Sequence, residues 1–202
     1  MILDWPDCTN VRDLGGLATT DGRRIRADAL LRSDHHAKLT AETVAAIRAG
    51  EVRRIVDLRW ARECALRPSP FAAEPIYAHV PLLGDNDYEI LPDTYAAMLD
   101  HSRPGVAAAF REVAQAPPGA VVVHCHAGTD RTGVLVALLL LVAGVGADEV
   151  ADDYALTAGT RRVVMVNTIE HLHRAYGGVA GYLAACDLEP ALLDAVRSRL
   201  VE

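Results

Sequence analysis

The sequence lacks both an excess of positive charge and an apolar run long enough to cross a membrane. Its 20 Lys and Arg residues are outnumbered by 27 Asp and Glu residues, which gives a formal net charge of −7. A general nucleic-acid-binding protein would carry a basic stripe, so that class is disfavoured. The longest apolar stretch, residues 133–147, is shorter than the roughly 20 residues of a spanning helix. We therefore predict a buried helix there and no stable membrane association.

Cysteines are few and lack the spacing of a disulfide framework or a metal site. The first residues show no basic segment followed by an apolar one, so no signal peptide is predicted. Free thiols are typical of a reducing compartment, and we predict a cytoplasmic protein, with export without a signal peptide left open. A chain of 202 residues, 51% of them hydrophobic, is long enough for a sizeable core. No linker or repeat divides it, which predicts a single domain over residues 1–202. The cysteines are Cys8, Cys64, Cys125 and Cys186.

Hydrophobic patterns and turn signals predict strands alternating with helices, followed by helices alone. The order favours an α/β fold with a central, mostly parallel sheet flanked by helices and a helical C-terminal third. Two loops are expected, one at the prolines 68, 70 and 75 and one over the acidic residues 84–93. Predicted strands cover 8–14, 25–31, 52–58, 77–80 and 121–123. Predicted helices cover 40–49, 94–99, 106–115, 133–147, 148–156, 163–176, 179–185 and 190–201.

The strongest chemical signal follows the strand 121–123, where α/β folds bind their ligands. A tight loop before a helix presents successive backbone N–H groups, and the helix N-terminus adds partial positive charge. Arg131 offers a planar fork to two phosphate oxygens. The same field favours the thiolate form of Cys125, which is the nucleophilic one. The loop therefore predicts covalent phosphoryl transfer. It runs His124-Cys125-His126-Ala127-Gly128-Thr129-Asp130-Arg131-Thr132-Gly133.

Three other interpretations of this loop were weighed. Gly128 and Gly133 have the spacing of a nucleotide-binding P-loop, but Val134 stands where that motif needs lysine. The alternating residues 124–126 could ligate a metal, yet no second ligand cluster accompanies them. An inert buried cysteine is the usual fate of a lone thiol. Its place between an apolar strand and a glycine loop argues against that fate for Cys125.

Residues 124–133 match the pattern H-C-x-x-G-x-x-R-T-G and so resemble the cysteine-based protein tyrosine phosphatase superfamily. Residues 9–16 resemble the N-F-R-D-L-G-G motif of a bacterial tyrosine phosphatase family. Residues 31–34 and 56–59 resemble that family's R-S-D and D-L-R elements, in the same order. The resemblance covers about residues 8–133 and implies a tyrosine-phosphatase-like fold.

The resemblance also implies roles for the loop residues. Cys125 would attack phosphorus and form a phosphocysteine, Arg131 would bind the phosphoryl oxygens, and Thr132 would hydrogen-bond the sulfur. His124 would fix the loop from behind. No metal or other cofactor is implied, because the loop amides and the arginine supply the electrostatic stabilisation. The phosphate-binding set is His126, Ala127, Gly128, Thr129, Thr132 and Gly133.

A general acid must protonate the leaving oxygen, and a carboxylic acid is the usual donor. The family's matching candidate is Asp130, inside the loop, and the second choice is Asp57, at the end of a neighbouring strand. Residues 5–7 spell the W-P-D motif of eukaryotic relatives, but they precede the first family motif and are treated as coincidence. Candidates of the third rank are Asp85, Asp87 and Asp93 on the acidic loop.

The predicted function is hydrolysis of phosphotyrosine in a protein or peptide, with phosphoserine and phosphothreonine included if the pocket is shallow. The alternative is a phosphoinositide or small-phosphoester phosphatase with the same mechanism. Thr129 stands where several relatives carry lysine, which weakens that alternative. An inactive phosphate-binding module comes last, because all expected loop residues are present. The pair 161–162 would rim the site or form an exposed helix turn, and no oligomeric state is predicted.

Overall fold

A computed structural model describes residues 5, 7–84 and 91–202. Within them, five strands form one sheet in the order β1-β2-β5-β3-β4. β1 pairs with β2 in antiparallel fashion, and all other neighbours are parallel. The predicted mostly parallel central sheet is therefore confirmed. The strands are β1 (Arg12–Asp13), β2 (Leu30–Ser33), β3 (Val52–Asp57), β4 (Tyr77–His79) and β5 (Ala120–His124).

Helices flank this sheet and make up the C-terminal third, as predicted. That third packs around α5, most of whose side chains are buried. Among the described helices, none combines the length and apolar composition that crossing a bilayer would need. A short 3-10 helix covers His36–Lys38. The α-helices are α1 (Ala41–Ala49), α2 (Ala61–Leu66), α3 (Ala96–His101), α4 (Arg103–Ala114), α5 (Asp130–Ala143), α6 (Ala147–Ala155), α7 (Arg162–Tyr176), α8 (Val179–Ala185) and α9 (Pro190–Leu200).

Four elements differ from the sequence prediction. The strand expected at 25–31 begins only at Leu30, because the chain turns at Asp28, whose φ is 58°. The buried helix expected at 133–147 starts earlier, at Asp130, and is ended by Gly144 in the left-handed conformation. The helix α2 was not predicted; it lies between the strand predicted at 52–58 and the loop predicted at the prolines 68, 70 and 75. The strand expected at 8–14 is reduced to β1.

The sheet order brings three strand ends together at one edge. β5 lies between β2 and β3, and its last residue, His124, is in register with Ser33 on one side and Asp57 on the other. Parallel strands place their carboxyl ends at the same edge of the sheet. The loop after β5 therefore emerges at the centre of that edge, flanked by the segments that follow β2 and β3.

Candidate active site

The loop after β5 has its peptide carbonyl groups turned outward and bound. The carbonyl oxygens of 126–128 accept hydrogen bonds from the His35 backbone N–H (3.1 Å), from Asn10 Nδ2 (3.2 and 2.9 Å) and from Arg32 Nη2 (2.8 Å). In a planar trans peptide the C=O and N–H groups point in opposite directions. The N–H groups of residues 127–129 therefore face the other side of the loop. Such a row of donors is an anion-binding arrangement.

This loop shape requires glycine at position 128. Gly128 has a φ of 70°, in the left-handed region that favours glycine. A Cβ atom there would lie 2.5 Å from the carbonyl oxygen of Ser33. The loop is thus pressed against the end of β2, and a larger residue would displace it.

A buried charge network supports the loop from behind. Asp153 of α6 lies 2.8 Å from Arg12 Nε and 2.9 Å from Arg32 Nη1, and all three side chains are nearly inaccessible to solvent. Arg12 also donates to the Asn10 side chain at 2.9 Å. Burial, together with the charge of Arg12, lowers the pKa of Arg32 to about 10. The network links the first two family motifs to the loop carbonyl of Gly128.

Sequence reasoning missed Asp153. Its signal was available, since Asp153 follows Val150 by three residues and so lies on the apolar face of a predicted helix. A buried carboxylate on such a face needs a cationic partner. The partners, however, come from strands more than a hundred residues earlier in the chain.

Arg131 is held by α2. Its two terminal nitrogens lie 2.5 and 3.0 Å from the carboxylate oxygens of Glu63, and its guanidinium carbon lies 4.5 Å from the centre of the Trp60 ring. Burial disfavours the charge of Arg131, but the hydrogen bonds that Arg131 donates to Glu63 and the negative charge of Glu63 outweigh it and raise the pKa of Arg131. The carboxylate takes only the terminal edge of the guanidinium, so the Nε edge is left for a second anion. Glu63 and Trp60 were not among the predicted site residues.

Cys125 lies at the foot of the loop, 2% exposed. The hydroxyl oxygen of Thr132, on the first turn of α5, is buried and has no hydrogen-bond partner among the described residues. A buried polar group of this kind is uncommon and calls for an explanation. A hydroxyl in this position is available to a group that enters the loop.

Stacked histidines lie under the loop. The His124 ring is fully buried, stacks on His36 at 4.2 Å, and its Nδ1 lies 3.1 Å from the carbonyl oxygen of Cys125. His36 bonds to the Ser33 hydroxyl at 2.9 Å. Burial lowers the pKa of both rings, so they are neutral at physiological pH. His124 thus lies behind the loop, where the resemblance implied it would be.

Asp57 is fully buried, and both of its carboxylate oxygens accept hydrogen bonds. It accepts hydrogen bonds from Arg59 at 2.6–3.0 Å and from the Tyr77 hydroxyl at 2.7 Å, and it lies 3.5 Å from His124 Nε2. Burial alone would raise its pKa, but the hydrogen bonds from Arg59 and Tyr77 and the positive charge of Arg59 bring the pKa well below its usual range. Asp57 is therefore a bound carboxylate without a proton to give at neutral pH.

Asp130, the first residue of α5, lies at the open side of the site. It is exposed, and the hydroxyl of Tyr95 donates to its Oδ1 atom. The Tyr95 hydroxyl is also 2.8 Å from the Tyr154 hydroxyl. Burial and the bond to Asp130 raise the pKa of Tyr95 above its ordinary value, so the phenol keeps its proton. Tyr95, itself bonded to Tyr154, therefore holds one oxygen of Asp130, and the other oxygen has no hydrogen-bond partner among the described residues.

A cavity of about 220 Å³ opens beside Asp130. Arg161 lines this cavity and forms an ion pair with Asp93, which is one of the acid candidates of the third rank. Asp85 and Asp87 lie outside the described residues. Arg162 pairs with exposed carboxylates of α6, as an exposed helix turn would. The cavity is lined by Leu91, Pro92, Tyr95, Thr129, Asp130, Tyr154, Gly159, Thr160, Arg161 and Val164.

Among the described residues, no group of three or more His, Cys, Asp or Glu side chains is arranged to hold a metal ion. The fold and the loop together define a class, an α/β protein with an anion-binding loop built around a cysteine. Comparison with known proteins narrows this class. A model described as the tyrosine phosphatase family matches residues 3–163. The chain belongs to the tyrosine phosphatase family, and the resemblance drawn from its motifs is confirmed.

Curated relatives agree with this family. A tyrosine-protein phosphatase of Nostoc commune is 34% identical over 146 residues, which are 66% of this chain and 50% of that protein. A second relative, from Cupriavidus necator, is 28% identical over 171 residues, 75% of this chain and 61% of its own. The chain thus spans about half to three fifths of these relatives. The core catalytic domain of the PP-IP phosphatase SIW14 from S. cerevisiae, solved with citrate, aligns with a TM-score of 0.44 at 15% identity, covering 76% of this chain and 82% of that one.

Proposed function

We propose that this chain is a protein tyrosine phosphatase that works through a phosphocysteine intermediate and without a metal ion. One observation carries the proposal. The loop after β5 aims its N–H groups to one side, with Cys125 at its foot and Arg131 beside it. A phosphoryl group has three non-bridging oxygens, and a row of N–H donors with a guanidinium fork suits their charge and geometry.

The proposed reaction has two steps. In the first, the Cys125 thiolate attacks phosphorus, the bond from phosphorus to the ester oxygen breaks, and the leaving oxygen takes a proton from Asp130. In the second, water attacks the phosphocysteine and gives a proton to Asp130, and the bond from sulfur to phosphorus breaks. Thr132 hydrogen-bonds the sulfur as it leaves. The loop amides and Arg131 stabilise the charge that develops on the phosphoryl oxygens.

Asp130 is the better supported of the two leading acids. One of its oxygens is held by Tyr95, and the other is free at the open side of the site where a leaving group departs. Asp57 has all its bonding capacity taken by Arg59 and Tyr77, and its depressed pKa keeps it ionised. We therefore assign proton transfer to Asp130, and to Asp57 the structural role of binding Arg59 and Tyr77.

Replacement of Cys125 tests the chemistry. Cys125→Ser should lower release of phosphate from p-nitrophenyl phosphate and from a phosphotyrosine peptide by about 10³-fold or more. EDTA should leave the wild-type rate unchanged, and vanadate should inhibit it. Cys186→Ser is a control, because that thiol is nearly as buried as Cys125. Full activity in the Cys125 variant would refute a phosphocysteine intermediate.

Replacement of the two aspartates tests the acid. Asp130→Asn should slow hydrolysis of a poor leaving group such as tyrosine by about 10²-fold. The same variant should lose far less with p-nitrophenol, which departs without a proton. If Asp57→Asn shows this dependence on the leaving group and Asp130→Asn does not, the acid is Asp57.

The proposal includes the partner, the compartment and the number of domains. The partner is a phosphorylated protein or peptide, and the setting is a reducing cytoplasm, which suits the free thiols of the described chain. One phosphatase domain is supported by the contact between the segment that precedes β2 and the last helix, α9, where the Arg26 N–H donates to the Leu200 carbonyl at 2.7 Å.

A further inference from the structure

The helix α2 borders the site and presents an open face. None of its residues is buried, and Leu66 is 83% exposed. Arg62 on this helix and Arg67 just after it are exposed. Neither forms an ion pair with a carboxylate of the described residues, whereas Arg131 and Arg59 nearby each have one. The positive charge of these two exposed side chains is therefore not neutralised locally, although the chain as a whole carries −7.

The indole ring of Trp60 fixes the position of Arg62 relative to the site. The guanidinium carbon of Arg62 lies 4.5 Å from the ring centre, and that of Arg131 lies at the same distance. The two guanidinium groups are therefore separated by at most twice this distance. An extended peptide advances about 3.4 Å per residue, so this span corresponds to no more than about three residues.

Arg67 adds to the positive field on the same side. Its Nη1 atom is 3.5 Å from His35 Nε2, and the His35 ring stacks at 4.9 Å on His126 of the loop. Burial, together with the nearby charges of His126, Arg59, Lys38 and Arg67, lowers the pKa of His35 to about 4. Arg62 and Arg67 therefore place positive charge on the side of the site where α2 borders the loop.

Building on the function proposed above, we propose that Arg62 and Arg67 form an anion-binding rim for an acidic side chain of the substrate. The ligand is a phosphopeptide with Asp or Glu within about three residues of the phosphorylated position. Its phosphoryl group lies on the loop with Arg131, while the acidic side chain meets Arg62 across the edge of Trp60. Charge complementarity and the short span from Arg131 favour this ligand.

Matched peptides test the rim. Two phosphotyrosine peptides that differ only in Glu or Gln at the three positions on each side are compared by kcat/KM. Wild type should prefer the Glu peptide by about fivefold at low ionic strength, and the preference should shrink in high salt. Arg62→Gln combined with Arg67→Gln should bring the ratio close to one. Arg62→Lys, which keeps the charge, should retain most of the preference.

A control and a charge reversal complete the design. Arg174→Gln should keep the wild-type ratio, because Arg174 lies near the far end of α7, which extends about 22 Å from its start beside the site. Arg62→Glu combined with Arg67→Glu should favour a peptide with Lys at the same positions. A wild-type ratio of one, or an unchanged ratio in the double Gln variant, overturns the rim. Hydrolysis of p-nitrophenyl phosphate without hydrolysis of either peptide refutes the protein phosphatase function itself.

Discussion

Two arginine–carboxylate contacts hold the loop after β5, and their surroundings differ. Behind the loop, Asp153 binds Arg12 and Arg32 where water hardly reaches. In front of it, Glu63 binds Arg131 on a helix with no buried residue. Removal of one partner from a desolvated ionic contact is costly, because a buried charge is left unpaired, whereas a contact that water reaches contributes little. We infer that the rear contact fixes the shape of the loop, while the front contact guides one side chain that must also bind substrate.

The largest difference between the two sides should appear in stability. Asp153→Asn leaves two buried arginines without a carboxylate, and we expect a loss of about 3 kcal/mol or more in unfolding free energy. Asp152→Asn, next to it in α6, removes only an exposed partner of Arg162 and should change stability by less than about 0.5 kcal/mol. Urea unfolding of both variants measures this. Equal stabilities would mean that the rear network does not support the fold.

The buried histidines behind the loop should make stability depend on pH. His36 is neutral in the folded protein because burial lowers its pKa, but it takes up a proton in the unfolded chain below about pH 6.5. Unfolding is therefore favoured as the pH falls from 6.5 to 5, by up to about 1.4 kcal/mol per pH unit for one such ring. His36→Phe should flatten the plot of unfolding free energy against pH by about that slope. The exposed His173→Asn is the control, and an unchanged slope for His36→Phe would contradict the prediction.

The front contact should affect activity more than stability. Glu63→Gln weakens the hold on the Arg131 fork, and we expect kcat/KM to fall about tenfold for every substrate. Unfolding free energy should change by less than about 1 kcal/mol, because the pair is partly exposed. Glu74→Gln removes a comparable contact with Arg48 on α1 and should leave kcat/KM unchanged. A large loss of stability in Glu63→Gln would remove the contrast between the two sides.

The smallest effect is expected from the tyrosine that orients Asp130. Tyr95→Phe removes the hydroxyl bound to Oδ1, and the rate with phenyl phosphate should fall about fivefold while p-nitrophenyl phosphate is little affected. Tyr182→Phe, which removes a buried hydroxyl bonded to the Leu99 carbonyl, is the control. Equal losses with both substrates would indicate that Tyr95 supports the fold rather than the acid.

Much of the fold was predictable because its signals are local. Thr40 caps α1, Gly50 ends it, and the run of valines in β5 has the composition of a buried strand. The missed helix α2 shows where local signals fail. Trp60 is a poor N-cap, since its side chain accepts no hydrogen bond, and prolines follow within a few residues. Its start is held by Glu63, which accepts a hydrogen bond from the Trp60 backbone N–H at 2.8 Å and also binds Arg131 of α5, 68 residues later in the chain.

The sequence by itself determined the anion-binding loop after β5. Its spacing of cysteine, glycines and arginine is dictated by the short reach of backbone N–H groups and of a single side chain around one anion. Only the tertiary structure decided which groups hold that loop and which carboxylate is free to act. In the sequence, Asp57 and Asp130 are both candidates for the general acid. In the structure, Asp57 is buried between an arginine and a tyrosine, whereas Asp130 is exposed to solvent. Burial and partners set the protonation of a carboxylate, and the strands and helices that supply them are far apart along the chain.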